Sequence, residues 1–358
     1  MGPSCGVVLG DLGADVIKVE AAPNGDPTRV LKGFGEGFFP CFNRNKRSLL
    51  VDLRSDRGRE IVERLVGTAD VFVENFGPGT LERLGFGAER VMTLNPRIIY
   101  CSLKGFLSGP YEKRPALDEV IQYMTGLAYM TGPLGRPLRM GTSIIDILGG
   151  VFDVLGILCA LRERERTGKG ELVKSALFET GAFLVAQHIA ADAISGTPGP
   201  PMPERSGSWA IYETFETSDN KRIFIGITSN NIWERFAKAY GREDALSDPD
   251  FASNESRRGA RWKLVPLVAK IAKGHTFAEM AEILERESVP FAPVAVPSDL
   301  FSDPQLNALH RMLETHIDGK SFKLPRVPLE LGNDDIVLRR QPPTLGEHNE
   351  EILKELGM

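Results

Sequence analysis

Several signatures of common enzyme classes are missing from this chain of 358 residues. Neither Gly-x-Gly-x-x-Gly nor a P-loop occurs, which argues against a nicotinamide dehydrogenase. The four cysteines (Cys5, Cys41, Cys101, Cys159) contain no Cys-x-x-Cys pair. They suit buried thiols in a reducing cytosol better than a disulfide frame or a zinc site. The five histidines (His188, His275, His310, His316, His348) are dispersed, without triad or metal spacing, so each reads as structural or surface and no metal is expected. A basic excess is absent too: the net charge of -5 argues against a general nucleic-acid binder. No charge-free apolar run reaches 18 residues and no signal peptide is evident, so a cytoplasmic protein without a membrane span is expected.

What is present is an ordinary globular composition, 42% hydrophobic and 25% charged, in a chain long enough for two domains. Its most organised stretch runs from Met140 to Gly168. It is almost wholly apolar from Ser143 to Leu161, then charged, and it stops at Thr167-Gly168. This reads as a buried helix capped by Thr142 or Ser143 and closed by Gly168. Asp146 falls in the first turn, where free N–H groups and the helix dipole favour a negative charge. Gly149 and Gly150 one turn on remove side chains and would admit a ligand. A carboxylate in such a place can act as nucleophile or base, although an Asp in the first turn of a helix is more often a charge complement than a catalyst. Asp153, two turns deeper, reads as hydrogen-bonded structure.

Before this helix, short strands and helices alternate. Strands are expected at 15–20, 48–53, 70–74 and 98–103, and helices at 1–13, 58–66, 80–84, 88–94 and from 114 to 126. Residues 34–42 read as a Gly- and Phe-rich loop. The strands are continuous apolar runs, as in a parallel sheet covered on both faces. The loops Asn75-Phe-Gly-Pro-Gly79 and 104–110 follow strands, where ligands bind in such sheets. The cations Arg44, Lys46 and Arg47 at a strand entrance fit a solvated face or a phosphate site. Residues 171–193 read as a further helix, and 194–207 as a Pro/Gly-rich linker. A small α+β domain follows, with a hairpin over 209–227, helices at 232–240, 261–272 and 277–287, and an extended stretch at 289–294. A turn then feeds a last helix near the end. The expected division is 1–195, 196–305 and a C-terminal segment 306–358 returning to the first domain.

Together the segments Gly2-Pro-Ser-Cys5, Leu12–Glu20, Asn43-Arg-Asn-Lys-Arg-Ser48, Val51-Asp-Leu53, Val73–Gly79, Arg114-Pro…Asp118…Gln122…Gly126, Ile145-Asp-Ile-Leu-Gly-Gly150, Arg166-Thr-Gly-Lys-Gly170 and Leu345-Gly-Glu-His348 occur in one order across nearly the whole chain. In this the chain resembles the class III CoA-transferase family (CaiB/BaiF), which contains formyl-CoA transferase, carnitine CoA-transferase and the α-methylacyl-CoA racemases. The resemblance implies a Rossmann-like large domain, a smaller domain and an interlocked homodimer. It implies acyl-CoA and a small carboxylic acid as substrates, with no prosthetic group. Asp146 takes the nucleophile's place, forming a mixed anhydride and then an aspartyl-CoA thioester. CoA contacts fall on Val51, Arg54, Asn75, Phe76, Gly77, Arg83 and the stretch Pro115, Ala116, Leu117 and Asp118, with Lys46 and Arg47 as lesser candidates. Gly149 and Gly150 would clear the thioester's approach and offer N–H groups to an oxyanion.

The chain departs from the family in two places. Members carry a further strand and turn before the Gly-Pro-x-Cys motif, whereas Met1 stands directly before it here, implying a truncated start or impaired CoA binding. The glycine-rich loop of formyl-CoA transferase has no clear counterpart, Ser206-Gly-Ser-Trp209 occupying that region, so an oxalate/formate pair is not expected. Two other functions stay open. Racemases present a His directly before the Asp of the Asp118 segment; Leu117 stands there, which removes one of the two bases such chemistry requires. A non-catalytic CoA-binding protein is the other. Met140, Trp209 and Tyr212 fit an acyl pocket or plain core.

Overall fold

A computed structural model describes residues 1–205, 207–332 and 336–358. The described chain divides into two compact units, Met1–Glu204 with Pro304–Met358, and Arg205–Asp303.

The first unit opens with α1 (Gly2–Asp11), β1 (Val16–Ala21), α2 (Phe38–Asn43), β2 (Lys46–Val51), α3 (Asp56–Thr68) and β3 (Val71–Glu74). Next come α4 (Thr80–Leu84), α5 (Ala88–Leu94), β4 (Ile99–Lys104), α6 (Asp118–Met124), α7 (Leu127–Thr131) and α8 (Ile144–Thr167). Then follow β5 (Leu172–Ala176), α9 (Leu177–Leu184) and α10 (Ala186–Ser195). β1 and β2 pair in parallel, and a second parallel sheet runs in the order β3-β4-β5. Parallel pairing agrees with the crossover helices between the strands.

In two places the structure corrects the reading of the sequence. Residues 171–193 are not one helix. Their first part is β5, the outer strand of the second sheet, paired to β4 from Tyr100↔Leu172 to Lys104↔Ala176. Half-exposed and interrupted by Lys174 and Ser175, it lacks the apolar continuity of β4. The stretch 34–42 is not wholly loop either, because Phe38–Asn43 winds into α2 and buries Phe39 beneath the Arg29 guanidinium.

α8 is buried on one face rather than all round. Ile145, Gly149, Gly150, Asp153, Val154, Ile157 and Ala160 recur at helical spacing and face the core, while Val151, Leu155 and Leu158 stay exposed. It is the one helix among the described residues long and apolar enough to cross a membrane by length and composition. Its inner face packs on α1 and on β4 and β5, in a cluster with Cys5, Ile99, Cys101, Leu103 and Phe106. Burying Ile145, Val154 and Ile157 contributes about 1.5–3 kcal/mol each, as an upper estimate. Gly168 closes the helix at φ 71°, the left-handed conformation that glycine adopts freely.

The chain's last helix, α17 (Asn349–Glu355), returns to the first sheet. Asn349 Oδ1 accepts from the Leu50 N–H at 2.8 Å, His348 Nδ1 accepts from the Ser48 N–H, and Ile352 joins the cluster of Leu49, Val51 and Ile61. A hairpin precedes it, β9 (Met312–Ile317) and β10 (Lys320–Pro325), turning at Asp318-Gly319 with both residues at positive φ. Asp-Gly between two alternating runs is a strong hairpin signal.

The second unit sets the antiparallel sheet β6 (Ile211–Glu216), β7 (Arg222–Ile227) and β8 (Phe291–Pro293) against α11 (Asn230–Ala239), α14 (Arg261–Lys273) and α15 (Phe277–Arg286). Ile223, Ile225, Trp233, Phe236, Leu264 and Met280 form its core. Trp209 and Tyr212 lie in tilted contact here, ring centres 4.9 Å apart, with Phe224 edge-on to Tyr212. Ser206 lies outside the described residues.

Candidate active site

The amino ends of three helices, α1, α6 and α8, are tied together around two carboxylates. Asp118, the first residue of α6, is buried, and its Oδ2 accepts from the main-chain N–H groups of Ile145 (2.8 Å) and Asp146 (2.9 Å). Ser143 stands at the N-cap of α8 but makes no side-chain capping bond. The orphan N–H groups of the first turn are instead satisfied by a carboxylate from another helix. Asp118 also accepts from Gln122 Nε2, and Gln122 Oε1 accepts from the Met140 N–H at 2.8 Å. The segment entering α8 is thereby pinned to α6.

Asp146 stands one residue into this capped turn. Its Oδ1 lies 2.8 Å from the Met1 main-chain nitrogen at the start of α1, and its side chain is 36% exposed. Its Oδ2 has no protein partner among the described residues. α1 is held by a second tie: the Gly2 N–H donates to Asn75 Oδ1 (2.8 Å), and Asn75 Nδ2 donates to the Leu103 carbonyl at the end of β4. Lys46, buried, donates to the Pro3 carbonyl at 3.0 Å, and burial pushes its ammonium well below the usual lysine range.

Gly149 and Gly150 do something other than what their sequence suggests. A Cβ on Gly150 would lie 2.6 Å from Ser4 Cβ and 2.8 Å from the Cys5 nitrogen, and one on Gly149 would lie 2.9 Å from Met1 Cγ. The space they vacate is filled by α1. They let two helices approach closely, and both are buried inside α8 rather than open to a thioester. That close approach is what sets the Met1 nitrogen against Asp146.

The expected CoA contacts divide in a similar way. Val51 is buried with Leu49, Ile61 and Ile352, and its carbonyl accepts from the Ala22 N–H; neither atom set is open to a ligand. The side chains of Asn75 and Asp118 are spent on the ties just described. Ala116 packs against Gly105. By contrast, Phe76 is 48% exposed, and its main chain is fixed by Glu74 Oε2 and Lys104 Nζ. Gly77 faces open space, and Pro115 and Leu117 are exposed. Arg54 is exposed and paired with Asp52, whose carboxyl it holds below the usual range. Among the described residues, the Arg83 guanidinium bonds only Thr80. The cations of 44–47 are buried and engaged. Arg44 pairs with Asp11, and Arg47 with Asp15, Glu351 and Glu355. They hold β2 and α17 in place and leave no charge for a phosphate.

A cleft of about 330 Å³ lies over the face of β3-β4-β5, lined by Glu74, Gly79, Tyr100, Ser102, Lys104 and Lys174 among others. Asp146 is not part of its wall. Two turns behind Asp146, Asp153 is fully buried; its Oδ1 accepts from Ser175 Oγ, and its Oδ2 has no hydrogen-bond partner among the described residues. Burial pushes this carboxyl up to about 6. Sequence reasoning assigned no role to Gln122. Its spacing of four from Asp118 on one helix face was the available signal.

Residues 1–349 match the description of CoA-transferase family III. The chain belongs to this family. Among similar proteins, a succinyl-CoA–D-citramalate CoA-transferase of Chloroflexus aurantiacus is 33% identical over 99% of this chain and 90% of its own length. A formyl-CoA:oxalate CoA-transferase of Streptomyces coelicolor is 34% identical over all of this chain and 92% of its own. A crystal structure of a CaiB/BaiF family protein from Brucella suis superposes with a TM-score of 0.86 at 34% identity, over 99% of this chain and 95% of that one. The parallel sheets and mixed α/β fold of this family III chain match that structure. The oxalate relative is as similar as the citramalate one, so similarity does not set the oxalate/formate pair apart.

Proposed function

We propose that this chain, an acyl-CoA:carboxylate CoA-transferase, works through a covalent intermediate on Asp146. Asp146 Oδ2 attacks the thioester carbonyl, the C–S bond breaks, and CoA leaves as thiolate from a mixed anhydride. The thiolate then attacks Asp146 Cγ, releasing the donor acid and leaving an aspartyl-CoA thioester. The acceptor carboxylate attacks Cγ in turn, breaking the C–S bond and expelling CoA thiolate to give a second mixed anhydride; the thiolate then attacks the acceptor's acyl carbon, and the Asp146 carboxylate leaves restored. No proton need be moved in any step, which accords with a junction built of carboxylates and main-chain N–H groups without a histidine. None of the five histidines lies on α1, α6, α8 or the 75–79 turn, and Leu117 offers no base, so racemisation lacks its second group.

The observation that carries this reading is the contrast between two neighbouring carboxylates. Asp118 is buried with both oxygens engaged, whereas Asp146, its side chain 36% exposed, keeps one oxygen without a partner among the described residues. Fixing the helix start through Asp118 holds that oxygen in place, and positioning is where most of the rate of such a step arises. The exposed side chains of Phe76, Arg54 and Arg83 suit the adenine ring and phosphates of CoA. Mass spectrometry of the protein mixed with acyl-CoA is expected to show a CoA adduct on the peptide containing Asp146. An adduct on another residue, or none under turnover, removes the mechanism.

A homodimer belongs to the same proposal. Val151, Leu155 and Leu158 recur at helical spacing on the exposed side of α8, and Phe183 on α9 and Ile194 on α10 are exposed as well, apolar surface that a second copy of the chain would cover. Sedimentation equilibrium is expected to give twice the chain mass of 39.3 kDa, and Leu155→Glu to shift it toward one chain. A monomeric wild type refutes the dimer.

A further inference from the structure

We propose that Arg139 holds the far carboxylate of a dicarboxylic acid while its near carboxylate reacts at Asp146; this rests on the transferase reading above. Arg139 lies in the segment leading into α8, directly before Met140, whose N–H is fixed by Gln122. Gln122 in turn bonds Asp118, the residue that caps the turn carrying Asp146. Arg139 is thus one residue removed from the bonded network that positions the nucleophile.

Its guanidinium is only partly used. Nη1 donates to the Met140 carbonyl at 3.1 Å and stands 3.7 Å from Glu119 Oε1, a loose pair with both side chains more than a third exposed. Among the described residues, Nε and Nη2 make no hydrogen bond or ion pair. That edge is the planar fork that receives a carboxylate through two parallel N–H bonds. The nearby cations differ. Arg44, Arg47 and Lys46 are buried and engaged, and Arg114 lies over the Tyr111 ring, 4.8 Å from its centre. A single carboxylate, Glu119, competes for Arg139, and at 3.7 Å in a solvated place it competes weakly. In the proposed complex a diacid with one end at Asp146 places its other carboxylate on this fork, whereas a monoacid leaves it to water.

The test compares glutarate with pentanoate, equal in chain length and differing only at the far end. Initial rates are measured for wild type, Arg139→Gln and Arg139→Lys with butyryl-CoA as donor, which carries no second carboxylate, and with succinyl-CoA in parallel. Wild type is expected to prefer glutarate. Arg139→Gln should raise its KM roughly 10- to 100-fold with kcat little changed, the usual loss for a charge-assisted pair, and leave pentanoate unaffected. Arg139→Lys should recover part of the loss, and the KM for succinyl-CoA should rise in Arg139→Gln while that for butyryl-CoA does not. Equal loss on both acids, or a wild type indifferent to the far carboxylate, overturns the role of Arg139 while leaving the transferase reading intact. Absence of transfer from either donor to either acid in wild type counts against the transferase reading itself, and this inference falls with it.

Discussion

Asp146→Asn is expected to abolish CoA transfer, by roughly 10³-fold or more, while CoA still binds. The amide is close to isosteric, so Met1, Ile145 and Asp118 keep their geometry, and the capping bonds to Asp118 run through main-chain N–H groups the substitution does not touch. What is lost is the nucleophile. Removing the group that forms the covalent bond leaves only binding and polarisation, which account for a small part of the rate in covalent enzymes. Exchange of labelled CoA between an acyl-CoA and a carboxylate reads transfer, and titration calorimetry with CoA reads binding. An active Asp146→Asn protein would refute the covalent mechanism. Inactive protein that no longer binds CoA would mean that the residue serves binding instead.

The second large effect concerns stability and has a defined sign with pH. Asp153 is buried, its Oδ2 has no hydrogen-bond partner among the described residues, and burial pushes its carboxyl up to about 6, above the usual carboxylate range. The folded state therefore binds this proton more tightly than the unfolded chain. Below about pH 4 both states are protonated and the residue imposes no penalty. Between about 4 and 6 stability falls as pH rises, and above 6 the full penalty applies, on the order of 3 kcal/mol for a shift of about two units. Asp153→Asn removes the charge and keeps the shape. It should stabilise the protein at pH 8 by about 1–3 kcal/mol, since the new amide still needs a partner, and bring no gain near pH 4. Thermal scans of wild type and variant at the two pH values decide it. An equal difference at both means that packing, not ionisation, governs the site.

Much of the first unit could be read from the chain itself. Strand and helix alternate through residue 104, and the strands were legible because each carries a core of apolar residues, such as Val-Ile in β1, Leu-Leu-Val in β2 and Val-Phe-Val in β3. The helix that Asp146 opens was visible from its long apolar run and its closing Thr-Gly, while the nucleophile's role for Asp146 came from the family resemblance. β5 was not, because an outer strand half open to solvent, with Lys174 and Ser175 inside it, has no periodicity to separate it from the helix that follows. The cap of α8 was also hidden. A serine at the right position suggested a local cap, but Asp118 reaches the same N–H groups from another helix, and sequence spacing carries no trace of a contact between residues so far apart. The glycine pair misled for a related reason. A missing Cβ announces that something comes close, and whether that is a ligand or a neighbouring helix is settled only by the packing.

The attachment of α17 to β2 bears on how the chain is made. Leu50 waits for Asn349, a partner 299 residues later in synthesis. At ribosomal rates of about 5–20 residues per second, the interval is roughly 15 to 60 s. During that time an early apolar strand is out of the exit tunnel without its cover. The newborn polypeptide therefore holds this strand without its late-made cover until residues 349–355 have followed it.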